Sequence, residues 1–261
     1  MTDNADAIAR RFTDGAEFLA TVESRATESA RRWALKLLEP LPMGIGGYLV
    51  GVRTKDGRDA VLKLSPTAPP QARANRLEVY ALRRWAGAGA VNLLAHDADA
   101  GALLLERCTP GVTIDSLPDE EMIVAGCALA RRLQRVADAK DRTTLPGTGD
   151  VVCHGDLNPG NLLSHRDGWV AIDPLPVLAE PAYDAVSLVW SKRDWLLSQP
   201  DPRRVLDRRL QLAAAALAVD ADRIRLQTLR RIEALLTERA SWGGYDEAPF
   251  VALAALLDQP E

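Results

Sequence analysis

The chain has 261 residues, 47% apolar and 26% charged, a globular balance and not a disordered one. Its 32 basic against 36 acidic residues leave a net charge of −4, a poor match to a nucleic-acid partner. No run approaches the ~20 apolar residues of a membrane helix, the polar start has no apolar signal core, and three scattered cysteines form no CxxC pair, so a cytoplasmic chain without disulfides, structural zinc or a membrane partner is expected.

In chain order, residues 5–38 carry apolar side chains at roughly helical spacing up to Pro40 and Pro42. Residues 48–53 and 60–64 read as two strands joined by a turn at Asp56-Gly57. Residues 71–85 return to helical spacing until Gly87 and Gly89 stop it, and 91–95 and 102–105 read as further strands of the same sheet. Thr109-Pro110-Gly111 breaks the chain. Beyond it, 119–139, 183–197, 202–218, 222–240 and 247–257 read as helices, with short strands and a polar loop in 151–173. The expectation is an α+β, bilobed protein with a small β-rich lobe (1–107) and a larger α-helical lobe (108–261), and a cleft between two such lobes is a natural ligand site.

The segment richest in chemistry is Cys153-His154-Gly155-Asp156-Leu157-Asn158-Pro159-Gly160-Asn161. A polar loop sits there between two short apolar runs, and five residues separate Asp156 from Asn161, so both side chains can face one point. Asp173 follows twelve residues later, at the end of the apolar run Trp169 to Ile172. Phosphoryl transfer needs one carboxylate to orient the attacking hydroxyl, and a neutral oxygen plus a second carboxylate to hold Mg²⁺ on the nucleotide phosphates. That assigns Asp156 as base and Asn161 and Asp173 as metal ligands. Asp, Asn, Gly and Pro also build ordinary turns, but the joint pattern is far more specific than a turn requires.

Lys63 lies inside the apolar run Val61 to Leu64, and Glu78 follows fifteen residues later in a helix. A strand lysine paired with a helix glutamate holds nucleotide phosphates in protein kinases. The plain alternative is an edge strand with Lys63 in water and Glu78 on a solvated helix face. Gly44 to Gly47 precede the first strand of this lobe; Gly46 and Gly47 could let backbone amides approach phosphates, although a glycine turn accounts for them nearly as well. At the lobe junction, the backbone of Glu106 and Cys108 would meet the adenine edge in a kinase-like fold. Among possible acceptor-side groups, Asp184, Asp194, Glu180 and Asp246 are acids more often simply solvated, and Trp190, Trp195 and Trp242 are more often core.

The set His154-Gly155-Asp156, Asn161 and Asp173 resembles the aminoglycoside phosphotransferase family, and segments such as Trp33 to Pro42, Ala60 to Leu64 and Leu103 to Arg107 resemble its streptomycin 6-phosphotransferase and hydroxyurea phosphotransferase branch. The resemblance implies a protein-kinase-like fold, ATP and Mg²⁺, and γ-phosphate transfer to a hydroxyl of a small, cationic acceptor such as an aminoglycoside, in an enzyme that is a monomer or weak dimer. It implies that His154 scaffolds the loop and that Asp184 braces it. A metabolic sugar or amino-alcohol kinase, and a non-catalytic nucleotide-dependent binding protein, are the alternatives. Gly155 stands where protein kinases carry arginine, no Asp-Phe-Gly is present, and 174–182 holds three prolines, so neither a regulated activation loop nor a protein substrate is expected.

Overall fold

The computed structural model describes residues 2–42, 46–239 and 246–258. The chain divides into two compact units, Met1–Gly111 and Val112–Glu261.

The first unit begins with two helices, α1 (Thr2–Arg11) and α2 (Gly15–Arg32), followed by β1 (Lys36–Pro40). The single helix expected over 5–38 is therefore replaced by two helices and a strand. The first break has a tertiary cause: Asp14 turns its carboxylate onto the amides of Thr67 and Ala68, at 2.8 and 2.9 Å. Gly15 then lies so close to the end of α1 that a Cβ would sit 2.2 Å from the Ile8 carbonyl oxygen. The second break is Ala34, whose φ of 52° ends the helix. Leu35 and Leu37, alternating along the extended chain, still reach the core, which is why the apolar spacing concealed the change.

β2 (Tyr48–Arg53) and β3 (Asp59–Leu64) form the expected hairpin, with Gly57 at φ 83° in its turn. With β4 (Leu93–Asp97) and β5 (Ala102–Glu106) they make a five-stranded antiparallel sheet in the order β1-β2-β3-β5-β4. β3 is central, which removes the edge-strand reading of Lys63. One face of the sheet packs Val50, Val52, Leu62 and Leu64 against Phe18, Val22 and Ala26 of α2. Helix α3 (Gln71–Trp85) ends at Ala86 in a left-handed C-cap, just before Gly87.

A short strand, β6 (Pro110–Thr113), leads into the second unit. Helix α4 (Asp119–Leu133) stops six residues earlier than expected, because β7 (Arg135–Val136) pairs with β8 (Val151–Cys153) and Asp138 caps a new helix, α5 (Ala139–Thr144), through a reciprocal box with Asp141. β9 (Leu162–His165) and β10 (Gly168–Ala171) form a hairpin, and β11 (Val177–Ala179) pairs with β8.

The expected helix over 183–197 is broken into a 3₁₀ turn (Pro181–Ala185), α6 (Val186–Val189) and α7 (Arg193–Leu197). The break is made by Arg209, which donates to the carbonyls of Val189 and Ser191 at 2.8 and 2.7 Å. Those oxygens would otherwise serve a continuing helix, and Lys192 adopts φ 48° instead. Asp119 grips the same guanidinium at 2.5 and 2.9 Å. α8 (Pro202–Leu217), α9 (Ala221–Arg239) and α10 (Ala248–Asp258) lie close to where the periodicity places them. Among the described residues, no helix is long and apolar enough to cross a membrane.

Candidate active site

In the second unit, β8 delivers Cys153 and His154 fully buried, and the chain then opens into the polar loop. Asp184 is the brace. It is buried, and its Oδ2 and Oδ1 accept the backbone N–H groups of His154 and Gly155 at 3.1 and 3.0 Å. Gln134 adds a weaker 3.4 Å contact from the end of α4. Burial raises the Asp184 pKa, opposed by these donors. A carboxylate so enclosed is no acceptor-side group, which corrects that reading of Asp184. Glu180, another candidate, is committed to Arg223 at 2.8 Å and to Gln227.

Gly155 has φ 85°, and a Cβ there would lie 1.9 Å from the Leu175 carbonyl oxygen. The Leu175 amide in turn donates to the His154 carbonyl at 3.0 Å. Any side chain there would strain the backbone and require the Leu175 segment to shift. His154 Nδ1 accepts the Asp156 amide at 3.4 Å, which leaves Nε2 to carry the proton and donate to the Ile172 carbonyl at 3.1 Å. Burial pulls its pKa down to about 4. A neutral histidine with both nitrogens engaged ties the Asp156 loop to the strand before Asp173.

Asp156 is half-buried. Its Oδ1 accepts Asn158 Nδ2 at 3.1 Å and its Oδ2 accepts Asn161 Nδ2 at 3.3 Å; the same Asn161 nitrogen donates to the Asp156 carbonyl at 2.8 Å. Asn158 also accepts the Gly160 amide at 3.0 Å, closing the turn. Burial, and then the negative charge of Asp173, push the Asp156 pKa up; Asn158, Arg231 of α9 and Asn161 oppose them. Asp173 is exposed and held at φ 53°, a left-handed conformation that aspartate tolerates better than bulkier residues. The Ile172 amide donates to the Asn161 carbonyl at 2.9 Å, so the two segments are stitched together just before Asp173.

This donor set fits a hard divalent cation. Asn161 commits its nitrogen to Asp156, leaving its amide oxygen outside those bonds, and Asp173 adds an exposed carboxylate. Mg²⁺ takes oxygen ligands and few protein groups, completing its shell with water and phosphate. Among the described residues no cluster of three or more His, Cys, Asp or Glu could hold a metal alone.

In the first unit, Lys63 Nζ meets both oxygens of Glu78, at 2.9 and 2.8 Å, with side-chain exposures of 7% and 4%. Both residues are therefore in the core of their unit, and Glu78 is not on a solvated face. Gly47 is accounted for by packing, since a Cβ would lie 2.2 Å from the Leu64 carbonyl oxygen; Gly46 lies in the preceding turn, and Gly44 lies outside the described residues. Glu106 spends its side chain on Asn92 at 2.6 Å and its amide on the Asn92 carbonyl at 2.9 Å. Cys108 is partly buried, its thiol pushed up to about 11 by burial and then by Glu106. Trp190 packs edge-on against Phe250 at 5.6 Å, Trp195 lies under Arg209 at 5.6 Å, and Trp242 lies outside the described residues.

Sequence reasoning missed three contributors. Asn158 was placed in the polar loop without a role of its own, Gln134 reaches the site from the C-terminal cap of α4, and Arg231 reaches it from α9. No local motif marks either of the last two.

The chain is 29% identical to the streptomycin 6-kinase of Streptomyces griseus, over 84% of this chain and 83% of that protein. It is 29% identical to the hydroxyurea phosphotransferase of Kitasatospora aureofaciens, over 84% and 73% respectively. Among solved structures, the choline kinase LicA of Streptococcus pneumoniae superposes with a TM-score of 0.58 at 13% identity, covering 90% of this chain and 97% of that one. The macrolide 2′-phosphotransferase MphH of Brachybacterium faecium gives 0.55 at 16%, with the same coverage. These two share the protein-kinase-like α+β fold. Residues 32–146 and 142–242 match the family described as aminoglycoside/hydroxyurea antibiotic resistance kinase, and across that span the chain belongs to this family.

Proposed function

We propose that the protein transfers the γ-phosphate of ATP to a hydroxyl of a small cationic molecule, an aminoglycoside such as streptomycin being the leading acceptor. The observation that carries this reading is the Asp156 loop, in which a half-buried carboxylate is fixed by Asn158 and Asn161 and its backbone is braced by Asp184. Asp156 orients the acceptor hydroxyl for in-line attack and takes its proton as the new O–P bond forms. A carboxylate whose pKa burial has raised is a better match to this task near neutral pH than a fully solvated one. Asn161 and Asp173 would hold Mg²⁺, which when bound neutralises charge on the transferring phosphates. Lys63, held extended by Glu78, places a cation on the nucleotide phosphates.

The test is acceptor-stimulated ADP release in the presence of Mg²⁺, with streptomycin, other aminoglycosides, hydroxyurea and simple sugars as the panel. Stimulation by streptomycin or a related aminoglycoside is expected. Stimulation by sugars alone would move the protein to a metabolic role, and none across the panel would remove the catalytic reading.

A further inference from the structure

Helix α9 carries an arginine to the Asp156 loop. Ile224, Thr228 and Leu235 are buried and mark the face of α9 that packs into the second unit. Position 231 falls on that same stripe, three residues after Thr228 and four before Leu235. Arg231 is accordingly half-buried, whereas Arg230 beside it is exposed. The setting of the helix is fixed one and two turns earlier, where Gln227 and Arg223 both donate to Glu180. Glu180 directly precedes the 3₁₀ turn that holds Tyr183 and Asp184, and Asp184 in turn holds the amides of His154 and Gly155. One turn beyond Gln227, Arg231 therefore faces the segment on which the catalytic loop rests.

The electrostatics agree with that placement. Burial raises the pKa of the Tyr183 phenol, and the charge of Arg231 opposes it. Burial also dominates at Asp156, where Arg231 again opposes the rise, together with Asn158 and Asn161. The neighbouring arginines of α9 serve other carboxylates: Arg223 serves Glu180, and Arg225 serves Asp207 at 3.1 Å.

A half-buried guanidinium at this place does more than steady the loop. Asn158 and Asn161 already hold the two oxygens of Asp156, and Asp184 holds the backbone before it. These two asparagines and His154, with its pKa near 4, bring no positive charge to the carboxylate. Transfer brings more negative charge to the same spot. The acceptor oxygen attacks the γ-phosphorus and its proton passes to Asp156. The new O–P bond forms as the bond from γ-phosphorus to the bridging oxygen breaks, and that electron pair leaves with ADP. The phosphoryl group thus arrives on an oxygen held roughly 3 Å from Asp156. As the proton neutralises Asp156, the attraction of a nearby cation passes from the carboxylate to the phosphoryl oxygens. An interaction that strengthens along the reaction in this way lowers the barrier, whereas one of constant strength does not.

We propose that Arg231 is a further catalytic residue of this enzyme, whose guanidinium meets the phosphoryl oxygens as the group passes to the acceptor. The proposal rests on the phosphotransfer reading.

The test compares the full-length wild-type protein with Arg231→Gln and Arg231→Ala. Calorimetry of ADP binding with Mg²⁺, with and without aluminium fluoride as a mimic of the transferring phosphoryl group, needs no acceptor and no turnover. Aluminium fluoride should tighten ADP binding to the wild-type protein at least about tenfold. Arg231→Gln should bind ADP alone within about threefold of wild type and lose that gain. In ADP-release assays with streptomycin, kcat should fall about 10²–10³-fold in both variants, with little change in the KM for ATP. Added guanidinium ion at millimolar concentration should raise the rate of Arg231→Ala and leave the wild-type rate unchanged. Retention of the aluminium fluoride gain in Arg231→Gln, wild-type turnover in either variant, or a loss of turnover that guanidinium does not relieve would overturn the proposal. Failure of the kinase reading looks different, because the wild-type protein itself would then release no ADP with any acceptor.

Discussion

Replacing Asp184 by asparagine separates bracing of the loop from the stability of the unit. Asp184 receives the His154 and Gly155 amides on separate oxygens, at 3.1 and 3.0 Å. Asparagine keeps one acceptor, and its NH₂ then faces the other backbone donor. Leaving that buried N–H unsatisfied costs about 1–3 kcal/mol. Against this, the variant no longer buries a charge, a burial unfavourable enough to raise the Asp184 pKa. The two effects largely cancel in global stability, so urea unfolding should change by less than about 2 kcal/mol. They do not cancel at the loop, because the lost bond is the one that sets the position of Gly155 and hence Asp156. A distortion of ~1.4–2.8 kcal/mol corresponds to a kcat roughly tenfold to a hundredfold lower. Steady-state ADP release with a saturating acceptor reads kcat, and calorimetry of Mg-ATP binding should show little change. A folded variant with wild-type kcat would refute the bracing role.

Lys63→Met strands the buried Glu78 carboxylate and should destabilise the protein by about 3–5 kcal/mol in chemical denaturation. Adding Glu78→Leu should restore most of that stability while ATP affinity stays lost; recovery of affinity would contradict a phosphate-holding pair. Gly155→Ala forces a Cβ to 1.9 Å from a backbone carbonyl at φ 85°. It should cost more than about 3 kcal/mol in denaturation, and a neutral effect would mean the loop can move aside. His154 carries a pH signature. Its folded pKa of about 4 lies below the unfolded value of 6.5, so its contribution is present above pH 6.5 and is lost as pH falls towards 4. That loss amounts to about 3 kcal/mol, and it should vanish from the pH dependence of unfolding in His154→Gln. Identical pH profiles for the two proteins would refute it.

What the sequence revealed, and what it concealed, follows from the range of the interactions involved. The hairpin at Asp56-Gly57 and the His154 to Asn161 loop are local patterns, and both stand where the spacing put them. Lys63 and Glu78 were readable as a pair only through the chemistry they share, since nothing local told a central strand from an edge one. The breaks at Asp14, Gln134 and Ser191 were hidden because each is enforced from a distance: by the amides of Thr67 and Ala68, by pairing with β8, and by Arg209. The break at Ala34 was hidden for a different reason: Leu35 and Leu37 bury themselves in an extended chain as they would on a helix face. Arg231 acts on Asp156 from α9, late in the chain, and that proximity exists only in the folded unit.

The most direct test of the central claim is Asp156→Ala, measured for acceptor phosphorylation and for Mg-ATP binding in the same preparation. If Asp156 is the base, turnover should fall by about 10²–10⁴-fold while nucleotide affinity is retained. Turnover at the wild-type rate would contradict the assignment.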